Sequence, residues 1–201
     1  MRKADPELHE RRRAEILLAA ETCFTARGFH ATSMAEIASA ASLSLGLLYR
    51  YFENKDALVL ASAARERAEA IAALQALENE PDFIERLIAL LHFEMQAGLA
   101  PGRARLSAEI LAEAARNPAL AAHLVVEDGA VRACFANLLR AQQGAGRIAK
   151  DFEPLVCVDL LLALFDGLAM RAELYQDFSA EAAANLLDGM LRQLLRKQTK
   201  E

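Results

Sequence analysis

Between Glu7 and Arg27 the apolar positions Ile16, Leu17, Ala20 and Phe24 recur at the spacing of one helical face, and Gly28 follows where a helix C-terminus favours a left-handed residue. The pattern predicts a first helix ending there. Ser33-Met34-Ala35-Glu36 then reads as a capping box, in which the Ser33 hydroxyl accepts from the Glu36 N–H while the carboxylate reaches back. Met34, Ile37, Ala38 and Ala41 give a short second helix over about 34–41 its apolar stripe. Ser42-Leu43-Ser44 breaks the run. Ser44 caps a third helix, Leu45 to Tyr51, anchored by Leu43, Leu48 and Phe52, and Asn54 caps a fourth that starts at Lys55 and ends near Leu77, before Glu78-Asn79-Glu80-Pro81.

Five more helical stretches follow, over about 82–98, 102–115, 118–142, 154–175 and 179–197, separated by Pro101-Gly102, Asn117-Pro118, Gly144-Ala145-Gly146 and Gln176-Asp177-Phe178-Ser179. Hydrophobic residues make up 54% of the chain, against only nine Gly and five Pro, which favours helices over a turn-rich β protein. The expected fold is all-α with about nine helices: a three-helix head over residues 1–53 and a helical body over 54–201.

The opening residues lack the apolar core of a signal peptide, and the longest greasy segment, Leu155 to Met170, is interrupted by Asp159 and Asp166. A soluble cytoplasmic chain without a membrane partner is expected. Cys23, Cys134 and Cys157 are far apart and form no CxxC pair, so they read as small buried apolar residues, with a thiol sensor as the alternative. No metal or cofactor is called for. The net charge of −5 argues at first against a nucleic-acid partner. It is unevenly spread: residues 1–55 carry eight Lys/Arg against seven Asp/Glu, leaving 15 against 21 in the remainder.

A short helix, a tight turn and a second short helix is an arrangement that places a recognition helix in the DNA major groove. The same spacing occurs in ordinary bundles, so the exposed face decides. The third helix keeps Leu48 and Phe52 for the core and turns Ser44, Gly46, Tyr49 and Arg50 outward: donors, an aromatic and bare backbone suited to phosphates and base edges. A merely solvated face would be richer in Glu and Lys. Lys55, beside the free N–H groups that open the fourth helix, adds a candidate phosphate site.

Thr32-Ser33-Met34-Ala35-Glu36-Ile37-Ala38, Leu43 through Phe52, and Asn54-Lys55-Asp56-Ala57-Leu58 together resemble the DNA-binding head of the TetR (tetracycline repressor) family over residues 10–60. The Tyr-x-x-Phe followed by Lys-x-x-Leu carries most of that resemblance. It implies that Thr32 or Ser33, Tyr49 and Lys55 sit at backbone-phosphate positions, and Ser44, Gly46 and Arg50 at exposed recognition-helix positions. The chain departs from the pattern at Leu45 and Leu47, where relatives often carry polar residues, and at Ala35, which offers no long donor. Leucine cannot donate to a base but packs on the thymine methyl, so base reading is expected to rest on Arg50, Tyr49 and the apolar contacts of Leu45 and Leu47. Ser42 stands where the family usually has Gly, and must then bear a left-handed backbone or a different turn. Arg2, Lys3 and the run Arg11-Arg12-Arg13 are further candidates for phosphate or minor-groove contacts, or else a solvated helix start.

In the body, Leu155 to Met170 is apolar nearly all the way round, which requires burial on more than one side. Pairing it and the last helix with their copies, as the resemblance implies, makes a four-helix homodimer interface with Leu161, Phe165, Gly167, Leu187, Met190 and Leu194 as candidate contacts. The resemblance also implies a ligand pocket among the middle helices. His92, Met95, Glu109, Glu113, His123, Glu127 and Asp166 are the candidates to line it; each polar one has a surface or ion-paired role as its plain alternative, and Met95 a core role.

The function expected is a ligand-responsive transcriptional regulator, most simply a repressor released from a palindromic double-stranded DNA operator by a small-molecule effector. Its rivals are an interaction protein with a degenerate head and a helical enzyme. For the latter the chain offers no HExxH, Gly-rich phosphate loop or nucleophile elbow, so no catalysis is expected.

Overall fold

The computed structural model describes residues 6–197. Those residues form nine helices and no strand: α1 Pro6–Arg27, α2 Met34–Ala40, α3 Leu45–Tyr49, α4 Lys55–Ala76, α5 Phe83–Gly98, α6 Arg103–Ala114, α7 Pro118–Gly144, α8 Pro154–Leu174 and α9 Ala180–Leu195. The boundaries follow the capping chemistry. Ser33 and Glu36 close a complete box at α2, Ser44 Oγ accepts from the Leu47 N–H at α3 (3.2 Å), and Asn54 Oδ1 accepts from the Ala57 N–H at α4 (2.8 Å).

The third helix is shorter than its apolar pattern predicts. After Tyr49 the chain tightens, with the Arg50 N–H donating to Leu47 O (3.1 Å) and the Tyr51 N–H to Leu48 O (2.9 Å), both bonds three residues back. The last turn is wound more tightly than an α-helix and carries Phe52 into the core. Ser42 bears the left-handed backbone expected of it, with φ +55. It lets the Leu43 N–H reach back to Ala38 O (2.8 Å) at the end of α2.

Packing divides the chain into two units, one of residues up to 65 together with 105–124, the other of 66–104 together with 125 onward. The head therefore takes in more than residues 1–53: the start of α4, most of α6 and the first turns of α7 belong with it. Its core is Ile16, Leu17, Ala20, Phe24, Phe29, Ile37, Ala38, Leu48, Phe52, Leu58, Val59 and Leu106. Ile16, Ile37, Leu48 and Leu58 are fully enclosed, each contributing about 1.5–3 kcal/mol.

The second unit packs α5, α7, α8 and α9 around Leu87, Ile88, Leu91, Phe135, Leu139, Val158, Leu161, Leu187 and Leu191. Gln142, enclosed in α7, donates to Glu78 O (3.0 Å), and Arg147 donates to the same carbonyl (2.9 Å), so the turn after α4 is held by two side chains. Among the described residues no helix is long and apolar enough to cross a membrane.

Candidate DNA-binding site and dimer face

The recognition surface is built by the α2–α3 pair. Leu48 turns inward and is fully buried, which fixes the rotation of α3 and leaves Ser44, Leu45, Gly46, Tyr49 and Arg50 exposed. Leu45 is 42% exposed and Tyr49 51%, both far from what a core would require of such residues. A Cβ at Gly46 would meet nothing within 4 Å, so this position presents bare helical backbone to whatever approaches. Leu47 is half-buried, at the margin of the same face.

Two residues expected to contact phosphate are engaged with the protein. Thr32 is buried, and its hydroxyl donates to Gly28 O (2.8 Å) and Cys23 O (3.2 Å), so it secures the end of α1 and is closed to phosphate. Ser33 is exposed but serves the capping box: Glu36 accepts from its N–H and hydroxyl (2.8 Å each), which holds the Glu36 carboxyl below the usual carboxylate range. Arg27 pairs with the same carboxylate.

The Lys55 ammonium donates to Phe29 O (2.6 Å) and His30 O (3.3 Å) and lies 4.6 Å from the Phe29 ring centre. Of its three donors two are committed, leaving one for an incoming oxygen. Tyr49 and Lys55 line one shallow polar depression beside α3, together with His30, Met34, Asn54 and Glu113.

Sequence reasoning missed how α1 joins this surface. The His9 ring stacks on Tyr51 with centroids 4.9 Å apart, and the Arg13 guanidinium lies 4.6 Å from the Phe52 ring centre. The spacing of His9 and Arg13, one helical turn apart, could have signalled a shared face. Arg11 and Arg12 pair with Glu15 at 4.0 and 2.7 Å, while Arg2 and Lys3 lie outside the described residues.

Residues 16–62 match the family described as bacterial regulatory proteins of the tetR family, and residues 81–196 match the C-terminal part of BetI-type transcriptional repressors. The chain belongs to the TetR family. It is similar to the HTH-type transcriptional regulator UidR of Escherichia coli K12, at 31% identity over 175 residues, 85% of this chain and 86% of that protein. It is similar also to the HTH-type transcriptional repressor AcnR of Corynebacterium jeikeium, at 28% identity over 92% of both chains. Among solved structures, Salmonella enterica GusR aligns with a TM-score of 0.68 at 30% identity, covering 92% of this chain and 95% of that one. The protein is thus a helix-turn-helix DNA-binding transcriptional regulator, and the relatives reported are regulators rather than enzymes.

The expected dimer contacts divide between the chain's own core and its surface. Leu161 and Leu187 are buried in the chain's own core, and Phe165 packs against it. Two of the expected contacts on α9, Met190 and Leu194, are exposed, together with Val156 (55% exposed), Leu160 (61%) and Leu164 on α8 and Leu186 (67%) on α9. Val156, Leu160, Leu164, Met190 and Leu194 line one apolar trough, with Asp151, Glu153 and Arg196 at its polar margins. Gly167 is exposed, and a Cβ there would meet nothing within 4 Å.

The candidate effector residues do not gather in one place. Glu109, Glu113 and His123 fall in the first unit. Glu109 accepts from the Phe29 N–H (2.6 Å), Glu113 lies 3.7 Å from His30 and pairs with Arg116, and the exposed His123 ring lies 2.9 Å from Ala119 O. The first two are wired to the α1–α2 turn, so neither is the unpaired carboxylate a cationic ligand would need. In the second unit Met95 is a core residue, His92 faces Asp188 at 3.4 Å, and Glu127 is half-buried on α7. Desolvation, and then the charge of Asp128, push the Asp166 carboxyl up. Burial likewise raises the thiols of Cys23, Cys134 and Cys157, the opposite of what a reactive cysteine requires. Among the described residues no group of three His, Cys, Asp or Glu side chains is placed to hold a metal ion.

Proposed function

We propose that this TetR-family regulator works as a homodimeric repressor that a small-molecule effector releases from a palindromic operator. The observation that carries the DNA reading is the α3 face, where an exposed Tyr, an exposed Arg, an exposed Leu and open glycine backbone lie together on a helix anchored by the buried Leu48. Such a set stands outside the head's buried core and fits a groove that presents phosphates, base edges and thymine methyl groups.

Dimerisation is supported by the α8–α9 trough. Its leucines and methionine cost the monomer free energy in water, and a two-fold copy of the same trough would cover them in a four-helix bundle. Two recognition helices then read half-sites about one turn of DNA apart or somewhat more. The effector must bind the DNA-incompetent arrangement more tightly than the other to act as a releaser.

Arg50 is the residue assigned to base reading. In gel shifts against a duplex selected by the wild-type protein, Arg50→Ala is expected to weaken binding about tenfold or more per half-site and to relax preference at one base position. Tyr49→Phe, which removes only the phosphate-seeking hydroxyl, should weaken binding without changing preference. Equal binding of Arg50→Ala and wild type would refute the assignment.

A further inference from the structure

α3 spans only five residues, Leu45–Tyr49, too few for a helix to hold its own shape in water. Leu48 anchors its middle in the core. Its end is held differently. The N–H groups of Arg50 and Tyr51 bond three residues back, at 3.1 and 2.9 Å, and the two residues that follow Arg50 are each met by a side chain of α1. The His9 ring lies on Tyr51 with centroids 4.9 Å apart and planes inclined by 28°, a stacked pair. The Arg13 guanidinium lies 4.6 Å from the centre of the Phe52 ring.

The spacing along α1 puts both contacts on one face. Its buried residues Ile16, Leu17, Ala20 and Phe24 form a stripe at helical intervals, and Arg13 and His9 continue that stripe toward the N-terminus. Where the apolar stripe ends, the face goes on with a cation over one ring and an imidazole over another, contacts that hold with one edge in water. Phe52 is 3% exposed, so Arg13 covers a ring that the core already fixes. Tyr51 is only half-buried at the margin of the same core, and there the stack with His9 restrains a ring that the core encloses on part of its surface. Arg50 stands directly before Tyr51, exposed and outside the regular helix. The direction of its side chain follows the tight turn that the Tyr51 stack pins. A guanidinium reaching a base edge with two hydrogen bonds tolerates little misplacement.

We infer that His9 is a positioning residue for base reading: by stacking on Tyr51 it fixes the turn that ends α3, and so the direction in which Arg50 meets its base pair. The inference rests on the DNA-regulator reading above and adds a residue of α1 to the specificity of the recognition helix. The imidazole acts through Tyr51 and not on the DNA.

The test uses the full-length protein, the duplex that wild type selects, and copies of it changed at the base pair where Arg50→Ala relaxes preference. Competition gel shifts give the discrimination ratio at that pair. His9→Ala is expected to lower the ratio about threefold or more, with the ratios at the positions faced by Leu45 and Leu47 unchanged. His9→Phe, which restores a flat ring without the imidazole nitrogens, is expected to regain wild-type discrimination. In an Arg50→Ala background, His9→Ala should change nothing further at that base pair. His9 is exposed, so its removal spares the core, and any loss of folded protein lowers binding to every duplex alike without moving a ratio. Wild-type discrimination in His9→Ala overturns the inference. So does an equal loss by His9→Ala and His9→Phe on all duplexes, which would make His9 a phosphate contact. Failure of wild type to select any duplex, or of Arg50→Ala to relax any position, overturns the reading beneath it instead.

Discussion

Leu160→Asp is expected to leave a folded monomer that has lost high-affinity operator binding. Leu160 is 61% exposed in the single chain, so a carboxylate there meets water and disturbs no packing. In a dimer closed over the α8–α9 trough the same carboxylate would be buried without a partner, at a cost of several kcal/mol per protomer. Loss of the dimer removes the tether between two heads, and with it about 10²–10⁴ in operator affinity. Light scattering would give the mass, and a gel shift the affinity. Leu161→Asp is the control: its side chain lies in the chain's own core at 5% exposure, so it should unfold the body rather than yield a monomer. A dimeric, DNA-binding Leu160→Asp would place the interface elsewhere.

The second large effect is expected at Gly28. Gly28→Val puts a β-branched residue at φ +89, where an L-residue loses about 1–2 kcal/mol. Its Cβ would also stand 2.6 and 2.9 Å from the two Glu109 oxygens. The carboxylate can swing away, but only by abandoning the Phe29 N–H, and an orphaned amide costs about 1–3 kcal/mol more. A total near 2–5 kcal/mol is a large share of a domain's stability of about 5–15 kcal/mol. The variant's head should therefore melt well below the wild type in a thermal scan. Gly46→Ala, a helical position with nothing within 4 Å, serves as the contrast and should melt at or slightly above the wild-type temperature. Equal melting of Gly28→Val and wild type would show that the turn does not need its glycine.

What the sequence revealed and what it hid divide along a physical line. Capping is local: Ser33 with Glu36, Ser44 with Leu47 and Asn54 with Ala57 are three residues apart, so the starts of α2, α3 and α4 could be read directly. For Ser42 the resemblance left a left-handed backbone or a different turn open, and the chain takes the first, with φ +55. The end of α3 was less legible, because its apolar spacing continues into residues whose backbone has already tightened.

Long-range partners left no local trace. Glu109 meets Phe29 across 80 residues and Lys55 meets it across 26, and neither carboxylate nor ammonium announces whether it faces solvent, ligand or backbone. Thr32 is a different case: its partners Gly28 and Cys23 are near in sequence, but its own residue type does not tell whether the hydroxyl turns back to the end of α1 or outward. In α8 the difficulty is different: a helix apolar nearly all round gives no periodicity from which to tell the core side from the exposed side. Leu161 and Leu160 are adjacent, chemically identical, and end up on opposite sides of that division.

Whether α3 reads DNA as one half of a two-fold pair is decided by selection of bound duplexes from a random pool by the purified protein, at fixed salt. The expected result is enrichment of a palindrome with thymine at the half-site positions faced by Leu45 and Leu47, and one fixed base opposite Arg50. Recovery of no sequence above non-specific binding would contradict it.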